Sequence, residues 1–236
     1  MKKLVLIAAT GNRHKIDEFR EIFNSISGEN GIDVLSEREA IDRFAGVRQI
    51  YEQPEETGST FAANAFIKSS ALYGFIENGI RSYLKEHAGE CDIIVAADDS
   101  GLCVNALGGA PGVMSARYAS LNKDNASDAD NVAKLLSEME NVPDGERTAH
   151  FACAISAILI KNSEAPVELI SSEGSMPGVI AREIRGRNGF GYDPVMYIPA
   201  LGKCVAELTP EEKNSISHRG QALRRLAQRY FTGKCI

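Results

Sequence analysis

Apolar positions recur along this chain with two alternating periods, and that alternation predicts its elements. Lys2 to Ala9 is a near-continuous apolar run and reads as a buried strand. Thr10-Gly11-Asn12 makes a turn. From Arg13 onward Ile16, Phe19, Phe23 and Ile26 recur at helical spacing with polar residues between them. The chain therefore opens strand–turn–helix, a unit that Gly28 to Gly31 ends. Ile32 to Leu35 suits a second strand, and Ser36 to Gln53 is mixed, with room for a short helix and a strand over Val47 to Tyr51. Pro54 to Gly58 is an acidic turn. Thr57 or Ser59 could cap the following helix, whose apolar face is Phe61, Ala65, Ile67 and Leu72 and which runs to about Gly74. Residues 75 to 90 read as a looser polar stretch with a further helical turn or two.

Ile93-Ile94-Val95-Ala96-Ala97 is a buried strand that runs straight into Asp98-Asp99-Ser100-Gly101. Leu102 to Leu107 reads as a partner strand, and Gly108 to Gly112 as a tight connection. Ser127 to Glu140 is helical, with Val132, Leu135, Leu136 and Met139 inward. Pro143-Asp144-Gly145 is a turn. Phe151 to Ile160 is a strand apolar on both faces. Leu169 to Glu173, Gly178 to Ile184 and Val195 to Ile198 are further strands, with a loop at Gly186 to Gly191. Leu201 to Ser217 reads mostly as loop, and Gln221 to Phe231 as a terminal helix. Helices interleave with strands throughout, without an internal repeat, which predicts an α/β fold with one mixed sheet flanked by helices.

With 236 residues the chain can bury a full core as one large domain or two lobes. A net charge of −6 disfavours a nucleic-acid polymer as partner but leaves a single nucleotide open. The five cysteines are scattered and form no CxxC pair, so buried reduced thiols are expected rather than zinc or disulfides. Met1 to Ala9 lacks the pattern of a signal peptide, and no run of about 18 apolar residues predicts a membrane span.

The chemistry gathers in five places. Asp98 and Asp99 repel each other unless a cation or shared proton intervenes, and a hard cation such as Mg²⁺ suits such a pair. Taken alone, the same acids could cap a helix or shape a turn. Thr10-Gly11-Asn12-Arg13-His14-Lys15 sets cations at a helix start, against the macrodipole, where a bound phosphate would reverse the penalty. A solvated cationic turn is the plainer reading of that loop. Lys213 and Ser217-His218-Arg219 repeat the oddity at the last helix, with Ser217 as N-cap. Phe190-Gly191-Tyr192-Asp193-Pro194 offers rings on which a base could stack and an acid to accept from ring N–H groups, or else rings that plug the edge of the core. Glu55 and Glu56 supply further carboxylates in the acidic turn, which alone would read as solvated surface, and Lys68 lies on the following helix.

Together these stretches resemble the inosine/xanthosine triphosphate pyrophosphatases. The match runs through Thr10-Gly11-Asn12 with Lys15, Glu55-Glu56-Thr57-Gly58 with Thr60-Phe61 and Asn64-Ala65, and Ala97 to Leu102. It continues through Gly108 to Gly112 with Ser115 to Tyr118, Gly189 to Pro194, Ala206 to Leu208, and Glu212-Lys213 with Ser217 to Leu223. The chain departs from the bacterial pattern at Ala63, where Glu is usual, and in a longer stretch over residues 76 to 92. The resemblance implies a cytoplasmic, Mg²⁺-dependent homodimer. It implies one domain over residues 1–236, an elongated sheet and two lobes with the active-site cleft between them. The implied reaction cleaves dITP, ITP, XTP or dXTP to the nucleoside monophosphate and pyrophosphate. By that match Asp99 is general base and metal ligand, Asp98 and Lys15 support it, and Glu55 is the second metal-side acid, with Glu56 as the neighbouring alternative. Thr10, Gly11, Asn12, Lys15 and Lys68 would hold the triphosphate and Lys213 would add charge. Phe190, Gly191, Tyr192 and Asp193 would hold the base, His218 and Arg219 would read its 6-keto oxygen, and Ser100 completes the substrate-binding set. Two other readings are a nucleotide-binding regulator that has lost turnover and a phosphohydrolase of standard triphosphates or modified pyrimidines.

Overall fold

The computed structural model describes residues 2–27, 32–46, 50–120 and 125–232. Gly28 to Gly31, most of the expected strand at Val47 to Tyr51, and Cys235 lie outside them. The strands hydrogen-bond in the order β2-β1-β3-β4-β5-β6-β7 as one seven-stranded mixed sheet. The chain divides into two compact units. The first comprises residues 1–99, 154–173 and 222–236, and the second residues 100–153 and 174–221.

In the first unit β1 (Lys3–Ala8) pairs in parallel with β2 (Ile32–Ser36) on one side and β3 (Cys91–Val104) on the other. A strand flanked by parallel neighbours and covered on both faces is apolar throughout, hence the unbroken run in β1. α1 (Arg13–Ser27) buries Ile16, Phe19, Ile22 and Phe23. α2 (Glu37–Phe44) starts at a capping box, in which the Ser36 hydroxyl accepts from Glu39 N and the Glu39 carboxylate accepts from Ser36 N. Ile50 and Tyr51 are not in a strand.

α3 (Phe61–Glu86) differs most from expectation. Its N-cap is Thr60, not Thr57 or Ser59, and it runs 26 residues, past Gly74. Leu72, Ile76, Ile80 and Leu84 are all buried at successive four-residue steps. Burying each contributes roughly 1.5–3 kcal/mol, which outweighs the roughly 1 kcal/mol that a mid-helix glycine costs. Gly79 is a packing position. A Cβ there would lie 1.8 Å from the Phe44 carbonyl oxygen, so the end of α2 sits directly on α3.

β3 is a single strand of 14 residues. The expectation that a strand ends at Asp98 and a partner begins at Leu102 is therefore corrected, and so is the alternative that the acids cap a helix or turn. Leu102 and Val104 are fully buried, so hydrophobic burial carries the strand through the acids into the second unit.

In the second unit Leu102, Val104, Val132, Leu135, Met139, Phe151, Met176 and Val195 form the core. α4 (Asp128–Glu138) is capped by Ser127, and β4 spans Thr148–Ile160, of which residues from Ala154 on belong to the first unit. The two strands expected at 169–173 and 178–184 are one, β5 (Glu168–Ile180), which passes through Pro177. β5 pairs antiparallel with β6 (Met196–Ile198), and β6 with β7 (Lys203–Cys204). The stretch expected as loop before Ser217 contains α5 (Pro210–Ile216), with a capping box between Thr209 and Glu212 and proline at its start. α6 runs His218–Thr232, and Ser217 Oγ accepts from Gly220 N at 2.9 Å as an N-cap does.

Candidate active site

In the first unit the turn before α1 is braced by its own side chains. Thr10 Oγ1 accepts from Asn12 N at 3.1 Å, and Asn12 Oδ1 accepts from Lys15 N at 3.3 Å. The first turn of α1 holds no acid. Lys15 instead reaches Asp98, with Nζ 3.1 Å from Oδ2 and the aspartate side chain wholly buried. One helical face of α3 supplies the other cation. Lys68 Nζ lies 3.1 Å from Glu56 Oε1 and 3.6 Å from Asp99 Oδ1. Asn64, one turn earlier, donates from Nδ2 to Asp99 Oδ2 at 3.0 Å.

Three carboxylates thus face two lysines. Burial pushes Asp99 above the ordinary aspartate value, against the pull of Lys68, Asn64 and Lys15, with Glu56 adding to the rise. Burial alone would lower Lys68, but Asp98, Asp99 and Glu56 outweigh it and raise its pKa. The two rises have different causes: burial dominates at Asp99, and the neighbouring carboxylates dominate at Lys68.

The structure brings Glu56, not Glu55, into this group. Glu55 is exposed, whereas Glu56 is half-buried against Lys68. Successive residues in an extended turn face opposite ways, so the choice between adjacent acids needs coordinates. Among the described residues no three His, Cys, Asp or Glu side chains form a closed metal cage. An open pair of oxygen donors is what Mg²⁺ uses, since it keeps waters and substrate oxygens in its shell. The donor set of Asp99 and Glu56 fits that ion.

In the second unit the Gly189–Asp193 loop is drawn around Asp193. Its Oδ2 accepts from Phe190 N at 3.0 Å and from Lys213 Nζ at 2.9 Å. Gly189 has φ +75°, and a Cβ there would lie 2.1 Å from the same oxygen. Gly191 N donates to Asp128 Oδ2 at 2.7 Å, tying the loop to the start of α4. Lys213 Nζ sits 4.4 Å from the Phe190 ring centroid and Arg219 Cζ 5.8 Å, so two cations face that ring. Arg219 is 1% exposed and donates from Nη2 to Ser100 Oγ at 2.9 Å. The His218 ring stacks on Phe151, with centroids 4.9 Å apart and planes at 16°.

Two expectations change here. Tyr192 is 4% exposed, lies in the core and donates to the Ser115 carbonyl at 2.9 Å, so Phe190 is the ring left for stacking. Lys213 stands in the last turn of α5 rather than at a helix start, and it serves the Asp193–Phe190 loop. Asn64, Asp128 and Phe151 were given no role from the sequence, although Asn64 lies in a stretch that carries the family resemblance. Only Asn64 carried a signal, as a polar residue inside an otherwise apolar helical face.

The Ham1 family model matches residues 6–229. The dITP/XTP pyrophosphatase of Yersinia pestis is 45% identical over 225 residues, covering 95% of each chain. That of Escherichia coli (strain K12) is 41% identical over 227 residues, covering 96% of each. Among solved structures, a HAM1 protein from Coxiella burnetii matches at 37% identity with a TM-score of 0.71, covering 98% of this chain and 100% of that one. The Staphylococcus aureus Ham1 protein matches at 37% identity with a TM-score of 0.67, covering 97% and 98%. The braced turn, the acids of β3 and the lysines facing them therefore stand within a fold matched along nearly its whole length, and the chain belongs to the Ham1 family.

Proposed function

We propose that this protein hydrolyses non-standard purine nucleoside triphosphates, dITP, ITP, XTP and dXTP, to the nucleoside monophosphate and pyrophosphate. The observation that carries the reading is the buried Asp98–Asp99 pair in mid-strand, met by Lys15 from α1 and Lys68 from α3. Relatives that share 41–45% of their sequence with this chain bear the name dITP/XTP pyrophosphatase, which supports the substrate class.

Phosphoryl-type substitution asks a protein mainly for positioning and charge neutralisation. Lys15 and Lys68 exchange their carboxylate partners for phosphate oxygens, and Gly11 lets a phosphate approach the backbone at the start of α1. Asp99 takes a proton from water, which attacks the α-phosphorus as the bond to the bridging oxygen breaks and pyrophosphate leaves with the electron pair. Asp98, beside Asp99 on β3, supports that base. Asp99 and Glu56 would hold Mg²⁺, which neutralises phosphate charge.

The second unit's groups suit the base. Phe190 supplies a flat face, and Asp193 and Lys213 set its loop. Arg219 and His218 donate toward a 6-keto oxygen. Arginine cannot accept, so the 6-amino group of adenine would leave a donor unpaired, at a cost of roughly 1–3 kcal/mol. We further read the chain as one domain that acts as a cytoplasmic homodimer, as the resemblance implies.

The test is pyrophosphate release from dITP, ITP, XTP, ATP and GTP, with and without Mg²⁺. The expected result is Mg²⁺-dependent cleavage of the first three far faster than of ATP, which the 6-keto contact rejects, or of GTP, which lies outside the substrate class named for the relatives. Equal rates across the panel would overturn the reading.

A further inference from the structure

Asn64 has no place in the chemistry above, yet it links the two carboxylate-bearing segments. Its Oδ1 accepts from Gly58 N at 2.8 Å, and its Nδ2 donates to Asp99 Oδ2 at 3.0 Å. The residue is 0% exposed. Only one orientation of the amide serves both partners, because a backbone N–H must donate and a carboxylate must accept. Gly58 closes the turn that carries Glu56, and Asp99 sits on β3. The turn lies directly on the amide. A Cβ on Gly58 would stand 2.6 Å from Asn64 Oδ1 and 2.8 Å from Ala63 Cβ. Asn64 itself is anchored in the capped first turn of α3, where its N–H donates to Thr60 O at 3.1 Å.

We infer that Asn64 is a positioning residue: it clamps the Glu56-bearing turn to Asp99, and it engages Asp99 Oδ2 so that Oδ1, which faces Lys68, is the working oxygen. The inference rests on the function proposed above. No neighbouring side-chain type does the same work. Aspartate would accept from Gly58 but has no proton for Asp99 and adds a like charge. Glutamine reaches one carbon too far into a fully buried space. Leucine leaves both partners unpaired.

The test uses the full chain with Asn64→Ala, Asn64→Asp and Gly58→Ala. It reads kcat and KM for dITP, hydrogen exchange at the Gly58 amide, and Mg²⁺ binding by calorimetry. In Asn64→Ala the expected outcome is a kcat lower by about 10–100-fold, the range for removing a partner that orients a metal ligand, with KM changed far less. Gly58 exchange should accelerate in that variant. Asn64→Asp should keep Gly58 protected while kcat falls as far, a split that loss of fold alone would not produce. The Asn64→Ala/Gly58→Ala double variant should be no slower than the worse single one, since Asn64→Ala already removes the contact that Gly58→Ala disturbs. A wild-type kcat in Asn64→Asp overturns the proposal, and so does a kcat in either variant that tracks only the folded fraction. Should Asn64→Ala not fold, Asn64→Asp and Gly58→Ala carry the test. A wild type that releases no pyrophosphate overturns the functional reading alone. The clamp is then judged by Mg²⁺ affinity, which Gly58→Ala and Asn64→Ala must weaken about 10–100-fold. Unchanged affinity overturns it.

Discussion

Replacing Lys68 with methionine keeps most of the side-chain volume and removes the charge that faces Asp99 and Glu56. At 3.6 Å and an effective dielectric of about 20, the Lys68–Asp99 attraction is about 4–5 kcal/mol before desolvation. Part of that is returned, because the variant no longer buries an ammonium group. The Glu56 contact adds little, about 0.5 kcal/mol, since that carboxylate is 31% exposed and solvent screens it. A net loss of about 2–3 kcal/mol follows, below the roughly 3–5 kcal/mol for breaking a fully buried pair. For a chain of this length that lowers Tm by about 4–12 °C in metal-free buffer. The excess acid should also make the variant more responsive to a cation. Millimolar Mg²⁺ should raise Tm more in Lys68→Met than in the wild type, as the metal takes over the neutralisation. The assay is differential scanning calorimetry with EDTA or Mg²⁺. A Tm unchanged by the substitution, or an equal Mg²⁺ effect in both proteins, would refute the charge balance argued for this cluster.

Asp99→Asn should abolish pyrophosphate release, by at least the roughly 10²–10⁴-fold attributed to a general base, while nucleotide binding measured by calorimetry survives. The same variant carries a pH prediction. Asp99 has a folded pKa above its ordinary 3.8, so its stabilising contribution is full below that value and is lost as pH rises through the folded pKa. Without metal, Asp99→Asn should therefore melt above the wild type at pH 7, with the gap closing as pH falls toward 3.8. A gap that widens on acidification would reverse the assigned sign. Gly189→Ala forces a side chain into a φ of +75° and onto Asp193 Oδ2, so it should displace the Phe190 loop. We expect a raised KM for dITP and, at roughly 1–3 kcal/mol of backbone strain, a Tm lower by about 2–12 °C; an unaltered KM would show that the loop does not hold the base.

Much of this protein was legible in its sequence because burial is periodic. The apolar run of β1, the helical spacing in α1 and the capping serine of α4 each encode their element locally, where neighbouring residues suffice. The chemistry-bearing stretches were legible for a similar reason: adjacent acids, or cations at a helix start, are costly unless something offsets them. What the sequence could not decide were matters set by distant partners. α3 passes two glycines because its buried face and the Phe44 carbonyl hold it there. β3 runs through its two aspartates because Leu102 and Val104 are buried beyond them. The choice of Glu56 over Glu55, the capture of Lys213 by Asp193, and the two-sided grip of Asn64 were fixed only when remote segments met. Side-chain pairing acts over about 3 Å in space, and separation along the chain does not report that distance.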